Sequence, residues 1–84
     1  MSRITREDLS ALFDSGWAED ENTHMIIVKD DFDGQYYPVY VTSQEDVRER
    51  IAYYQGQSMQ IVMEVYNLNE DKDPQMVAPR AWFV

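Results

Sequence analysis

The chain has no cysteine, which excludes disulfides, thiolate zinc sites and a cysteine nucleophile together. It has one histidine, His24, at the start of a strand-like run, and a lone imidazole there reads as a surface or half-buried residue rather than a base. Glycine and proline number three each, and no linker, repeat or low-complexity stretch is built from them. Basic residues are scarce: seven Lys and Arg stand against sixteen Asp and Glu, for a net charge of −9. Such a chain is not expected to bind nucleic-acid phosphates or an anionic membrane directly. No apolar run approaches membrane-spanning length, and the first ten residues lack the apolar stretch of a secretory signal. The expectation is a soluble, cytoplasmic protein.

Chemical motifs are missing as well. No serine sits in a nucleophile-elbow context, and neither H-E-x-x-H nor a glycine-rich phosphate loop occurs. With 84 residues there is room for one core, so residues 1–84 read as a single domain with little volume for a cleft between opposed carboxylates. The chain is expected to be no enzyme, with no catalytic residues, no cofactor and no metal site.

What is present is enough to fold. Apolar residues make up 44% and aromatic residues 13%, including six tyrosines, unlike a disordered chain. Residues 5–17 read as a helix: Thr5 caps it, Asp8 completes an acidic capping box, and Ile4 and Leu9 stand where a hydrophobic staple closes. Leu9, Leu12 and Phe13 supply the apolar stripe. Gly16 fits a left-handed end position, with Trp17 making the accompanying contact. Residues 23–29 and 36–42 read as strands of a hairpin turning at Asp33-Gly34. Thr42 or Ser43 caps a second helix, with Glu45 or Asp46 at the matching third position; Val47, Ile51 and Tyr54 form its buried face, and Gly56 ends it. In residues 59–68, Met59, Ile61, Met63 and Val65 alternate with Gln60, Glu64 and Tyr66, a strand with one dry face. Residues 69–75 read as a turn, and residues 76–84 as a last strand.

The order α-β-β-α-β-β predicts an α+β fold. It is a four-stranded antiparallel sheet in the order 2-1-3-4, with two helices on one face and a split β-α-β crossover. Pro38 and Pro79 then fall on the two edge strands, where a missing N–H is tolerated.

The acidic run Val-Lys-Asp-Asp-Phe-Asp-Gly (28–34) invites comparison with a calcium loop. With Gly34 sixth, Asp31 and Asp33 fall third and fifth, but Lys29 falls first and Tyr40 twelfth, where a bidentate carboxylate belongs. Asp30, Asp31 and Asp33 therefore read as turn formers at a solvated tip.

The predicted layout gathers nine of the sixteen acids at the other end of the sheet: Glu19, Asp20 and Glu21; Glu45, Asp46 and Glu49; Glu70, Asp71 and Asp73. Acids in a helix's first turn suit its dipole, and polar loops are ordinary. Their coincidence is costlier, since like charges repel, and a field of one sign steers a basic partner. Tyr36 and Tyr40 lie on one face of the second strand, and one set of tyrosines is expected to face away from the helices. There it would serve as interface anchors, cover an open sheet face, or form a homodimer through that face or the strand edge.

In size, acidity, aromatic content and lack of chemical motifs, the chain resembles small phage-encoded inhibitors of bacterial defence, the anti-CRISPR and DNA-mimic antirestriction proteins. The resemblance is one of type across the whole chain. It implies a protein that binds a nucleic-acid-handling effector, such as a CRISPR complex, and blocks its basic DNA-binding surface. Carboxylates such as Glu70, Asp71 and Asp73 would stand in for phosphates. Two alternatives stay open: an immunity protein or antitoxin that neutralises a basic nuclease, and a small self-associating structural protein.

Overall fold

Thr5 opens the first element. In the computed structural model, which describes residues 4–56 and 59–84, the Thr5 hydroxyl accepts from Asp8 N and the Asp8 carboxylate accepts from Thr5 N, both at 3.1 Å. Helix α1, Arg6–Trp17, thus begins with both halves of a capping box. Leu9 and Phe13 are buried, and Ile4 and Leu12 pack on the same cluster.

The far end of α1 differs from expectation. Gly16 lies inside the helix, and the residue that caps it, Ala18, is right-handed. Glycine is needed there for space instead: a Cβ would lie 2.8 Å from Tyr40 Cδ1, closer still to Cε1, and 3.1 Å from Leu68 Cδ1. Trp17, expected to make a capping contact, is 67% exposed.

Strands β1, Asn22–Asp30, and β2, Gln35–Thr42, pair antiparallel. The turn between them has Gly34 at φ 74°, with Gly34 N donating to Asp30 O at 2.7 Å. Helix α2, Val47–Tyr54, leads to strand β3, Gln60–Asn67, antiparallel to β1 on its other side. The order is β2-β1-β3, so β2 and β3 run parallel and the split β-α-β crossover is present. Pro38 lies on an edge strand.

Three expectations are corrected. First, the sheet has three strands rather than four. Residues Lys72–Val77 form helix α3 instead of leading into a hairpin. Pro74 sits in its first turn, where a proline N–H is not needed, and Ala78, held extended (ψ 141°) before Pro79, stops it. The following chain makes one isolated parallel bridge to β3, Val65 to Trp82. Val65 N donates to Ala81 O at 3.0 Å and Phe83 N to Val65 O at 2.9 Å. Inserting a helix reverses the return direction, so an antiparallel fourth strand cannot form.

Second, the helices cover both faces. Met25, Ile27, Tyr66 and Leu68 pack with Leu9 and Phe13 of α1 and Met76 of α3. Ile26, Val28, Val39, Val41, Val62 and Val65 pack with Val47, Ile51 and Tyr54 of α2. The central strand β1 therefore buries four consecutive residues, Met25 to Val28. Among the described residues both sheet faces carry a packed cluster.

Third, β3 does not keep one dry face. The register shifts between Ile27 and Val28, which pair with Glu64 and Val62, so Met63 is an extra residue opposite β1. A bulge of one residue exchanges the faces on either side of it. Met59 and Ile61 are exposed as a result, while Val62, Val65 and Tyr66 are buried.

The second helix also begins later than Thr42 or Ser43. Asp46 is its cap, its carboxylate accepting from Arg48 N at 2.8 Å. Among the described residues no helix is long and apolar enough to cross a membrane.

A candidate protein-binding end of the sheet

The register places three acid-bearing segments at one end of the sheet. Asn22 pairs with Thr42, and His24 with Asn67, so the start of β1 meets the ends of β2 and β3. Backbone hydrogen bonds tie the flanking loops together there: Ser43 N donates to Glu21 O at 2.8 Å, and Leu68 N to Thr23 O at 2.9 Å. Glu19, Asp20 and Glu21 precede β1, Glu45 and Asp46 follow β2, and Glu70, Asp71 and Asp73 follow β3. The hairpin tip with Asp31 and Asp33 is at the opposite end.

The nine acids are not equivalent. Glu45 and Asp46 have structural duties. Glu45 Oε1 accepts from Thr42 N at 3.0 Å and from its hydroxyl at 3.1 Å, and Arg50 stands 3.4 Å from Oε2. The Thr42 backbone bond is the chief reason the Glu45 carboxyl is held below its usual range. Asp46 is spent on capping α2. These two and Glu49 lie at the start of α2, on the sheet face opposite α1 and α3. All nine are exposed; the other six, Glu19, Asp20, Glu21, Glu70, Asp71 and Asp73, lie on the segments flanking β1 and β3. Among the described residues no salt bridge joins any of these six to a cation.

Of the nearby cations, Lys72 and Arg50 are paired, while Arg48 is exposed beside Asp46 and Glu49 and forms no salt bridge among the described residues. Lys72 Nζ donates to Ser10 Oγ at 2.9 Å and pairs with Asp14 at 3.0 Å, tying α3 to α1 instead of neutralising its acidic neighbours. Arg50 serves Glu45 and lies over the Tyr54 ring, 5.5 Å from its centroid.

Tyr36 and Tyr40 are drawn inward. Both pack on the cluster beneath α1, and Tyr40 Oη donates to Leu12 O at 2.7 Å. Burial raises its phenol pKa. Tyr37 packs on the opposite cluster, where Gln60 Nε2 hydrogen-bonds its hydroxyl. With helices packed on both faces, the tyrosines of β2 are half-buried against the two clusters.

At the opposite end the hairpin carboxylates organise the turn. Asp30 Oδ1 accepts from Phe32 N, and Asp33 Oδ1 from Gln35 N, each at 2.9 Å, leaving Phe32 81% exposed. Among the described residues no group of three His, Asp or Glu side chains is arranged to hold a metal ion.

Two residues that shape the acidic end are not evident from sequence. Gln75 is a polar side chain only 1% exposed. Its Oε1 accepts from Asn67 N at 2.7 Å, while Nε2 donates to Asn67 O at 2.8 Å and Asp71 O at 2.9 Å. It thereby pins the Glu70-Asp71 loop onto the end of β3. Nothing in a local pattern distinguishes this glutamine from a surface one, because its partners are set by α3. The second is Trp17, whose exposure beside a cavity lined by Glu19, Asp20, Asn22, Leu68 and Asn69 follows from the helix continuing past Gly16.

His24 lies at the same end. Its Nδ1 is 2.9 Å from Thr23 Oγ1, and its buried Nε2 lacks a hydrogen-bond partner among the described residues. Burial lowers its pKa, and Glu70 opposes that shift.

Comparison with protein-family models, with characterised proteins and with solved structures finds no match to this chain.

Proposed function

We propose that this chain is a protein-binding inhibitor that docks its acidic sheet end onto a basic, nucleic-acid-binding surface of a bacterial defence complex, in partial imitation of a phosphate backbone. The observation that carries the reading is the convergence of Glu19–Glu21 and Glu70, Asp71 and Asp73 on one end, while Lys72, their neighbour in α3, is paired with Asp14. Bringing like charges together costs stability unless a partner offsets it. A localised patch fits a plug over part of a DNA-binding channel better than a substitute for a long duplex.

Six exposed carboxylates give the surface reach without fixed geometry: each accepts charge-assisted hydrogen bonds from Arg or Lys, as phosphate oxygens do. The surface supplies attraction and steering; occlusion of the channel follows from the bulk of the domain behind it.

The test is affinity capture from a bacterial lysate at low salt, with wild type and the variant E70Q/D71N/D73N run side by side. The expected result is a basic nucleic-acid-binding protein retained by wild type and lost with the variant. Retention of only acidic or unrelated proteins, or an equal yield with both, overturns the reading.

A further inference from the structure

We infer that the cavity beside Trp17 receives an arginine side chain from the partner's surface. This deepens the docking proposal and rests on it, but it is carried by different features: an exposed tryptophan, a cavity, and acidic residues at a helix end that has no basic residue of its own.

Trp17 is the last residue of α1 and is 67% exposed. A tryptophan of that exposure leaves a large apolar face in water. Trp17 borders a cavity of about 190 Å³ whose lining includes Leu68, Asn22, Asn69, Glu19 and Asp20. That volume is below the roughly 300 Å³ at which small-molecule and cofactor pockets begin, and it suits one long side chain.

The electrostatics select the charge of that side chain. A helix presents its negative pole at its C-terminus, where Lys, Arg or His ordinarily sit. The last turn of α1 has no basic residue, and the chain continues as Ala-Glu-Asp-Glu. The helix pole and the carboxylates of Glu19, Asp20 and Glu21 therefore add with the same sign, an arrangement unfavourable to the isolated fold and favourable to an incoming cation. Lys72 is held against the side of α1 by Ser10 and Asp14 and is not among the residues that line the cavity.

The choice between arginine and lysine follows from the indole. A guanidinium is planar, stacks on an aromatic face and keeps its edge N–H groups free for carboxylates; an ammonium is a compact, strongly hydrated point charge. Within this molecule the same pairing recurs, with the Arg80 guanidinium 4.4 Å from the Trp82 ring centroid. Arginine stacked on Trp17 with its edge toward Glu19 and Asp20 uses every feature of the cavity.

The test is NMR titration of the full chain with a capped glycine-flanked arginine peptide, following the Trp17 indole N–H and the backbone amides of Ala18, Asn22 and Asn69. Saturable shifts confined to those groups are expected. The lysine peptide should shift them more weakly and the neutral citrulline peptide not at all. In Trp17→Phe the ring is smaller and the shifts should shrink severalfold; in Trp17→Ala they should vanish, with amides elsewhere unchanged because Trp17 lies outside the core. Equal responses to arginine and citrulline peptides, or shifts that survive Trp17→Ala, overturn the inference. The two proposals fail separately. A captured basic protein that binds W17A as tightly as wild type overturns the arginine site and leaves the docking reading intact. Arginine-peptide shifts at Trp17 with no basic protein captured have the opposite consequence.

Discussion

At the scale of single residues, Gly16 and His24 carry the most definite consequences. Gly16 has no room for a methyl group, because the Tyr40 ring lies against it and is held there by its hydroxyl bond to Leu12 O. Alanine ordinarily gains about 1 kcal/mol over glycine inside a helix, whereas overpacking a filled site costs about 1–3 kcal/mol. Gly16→Ala is therefore expected to lower unfolding stability in urea, and an increase would contradict the contact. His24 sets a pH dependence. Burial favours its neutral imidazole, so its folded-state pKa lies below the unfolded value of 6.5. As pH falls below 6.5 the unfolded chain takes up the proton first, and the stability contributed by the neutral form is lost down to the folded pKa. In denaturant titrations His24→Gln should flatten the stability profile just below pH 6.5; an unchanged profile would place the titration elsewhere. Tyr66 acts at the other extreme. Burial, followed by the neighbouring Glu64, raises its phenol pKa well above 10. Its contribution is complete below pH 10 and fades as the unfolded phenol ionises above that value.

At the scale of elements, sequence reading reached as far as the local signals did. The Thr5–Asp8 capping box, the hairpin around Gly34, the apolar face of α2 and the crossover over β1 depend on neighbours in sequence, and all are present. What was not legible depends on distant partners. The bulge at Met63 is imposed by pairing with β1, so an alternation that looked regular changes face midway. Residues 76–84 have the composition of a strand, yet Pro74 favours a helical first turn and the buried Gln75 side chain rewards α3 with backbone hydrogen bonds. The run Met25 to Val28 did carry a readable signal: four consecutive apolar residues fit a strand buried on both faces, which argues against placing both helices on one. Two outcomes follow. Gln75→Leu keeps the bulk but strands Asn67 N–H and the Asp71 carbonyl, and should cost about 1–3 kcal/mol and loosen the loop bearing Glu70 and Asp71; full stability would contradict that role. In hydrogen exchange the Val65 and Phe83 amides should be protected together, since they bond across the bridge that closes β3. Phe83 exchanging at the rate of a free chain would remove the bridge.

At the scale of the whole molecule, the fold converts three separated acidic stretches into one pole. The convergence was readable because it needs only the strand directions: any arrangement with β1 between β2 and β3 brings the start of β1 to the ends of both. The division of that pole was not. Glu45 is bound to Thr42 and Arg50, Asp46 caps α2, Glu49 is exposed on the α2 face, and six further exposed acids lie on the remaining segments. Tyr36 and Tyr40, for which anchoring is one expectation, are half-buried against the cluster beneath α1, and Trp17 is an exposed aromatic at this pole. Charge of this kind acts mainly on encounter, raising association rates by about 10- to 1,000-fold and losing effect as salt screens it.

The most direct measurement is therefore the association rate of the captured basic protein with wild type and with E70Q/D71N/D73N, each at low and high salt. The account predicts a rate at least about tenfold slower for the variant at low salt, with the two converging at high salt and dissociation changing less. Equal rates at low salt, or a difference that persists unchanged when salt is raised, would contradict an electrostatic docking pole at this end of the sheet.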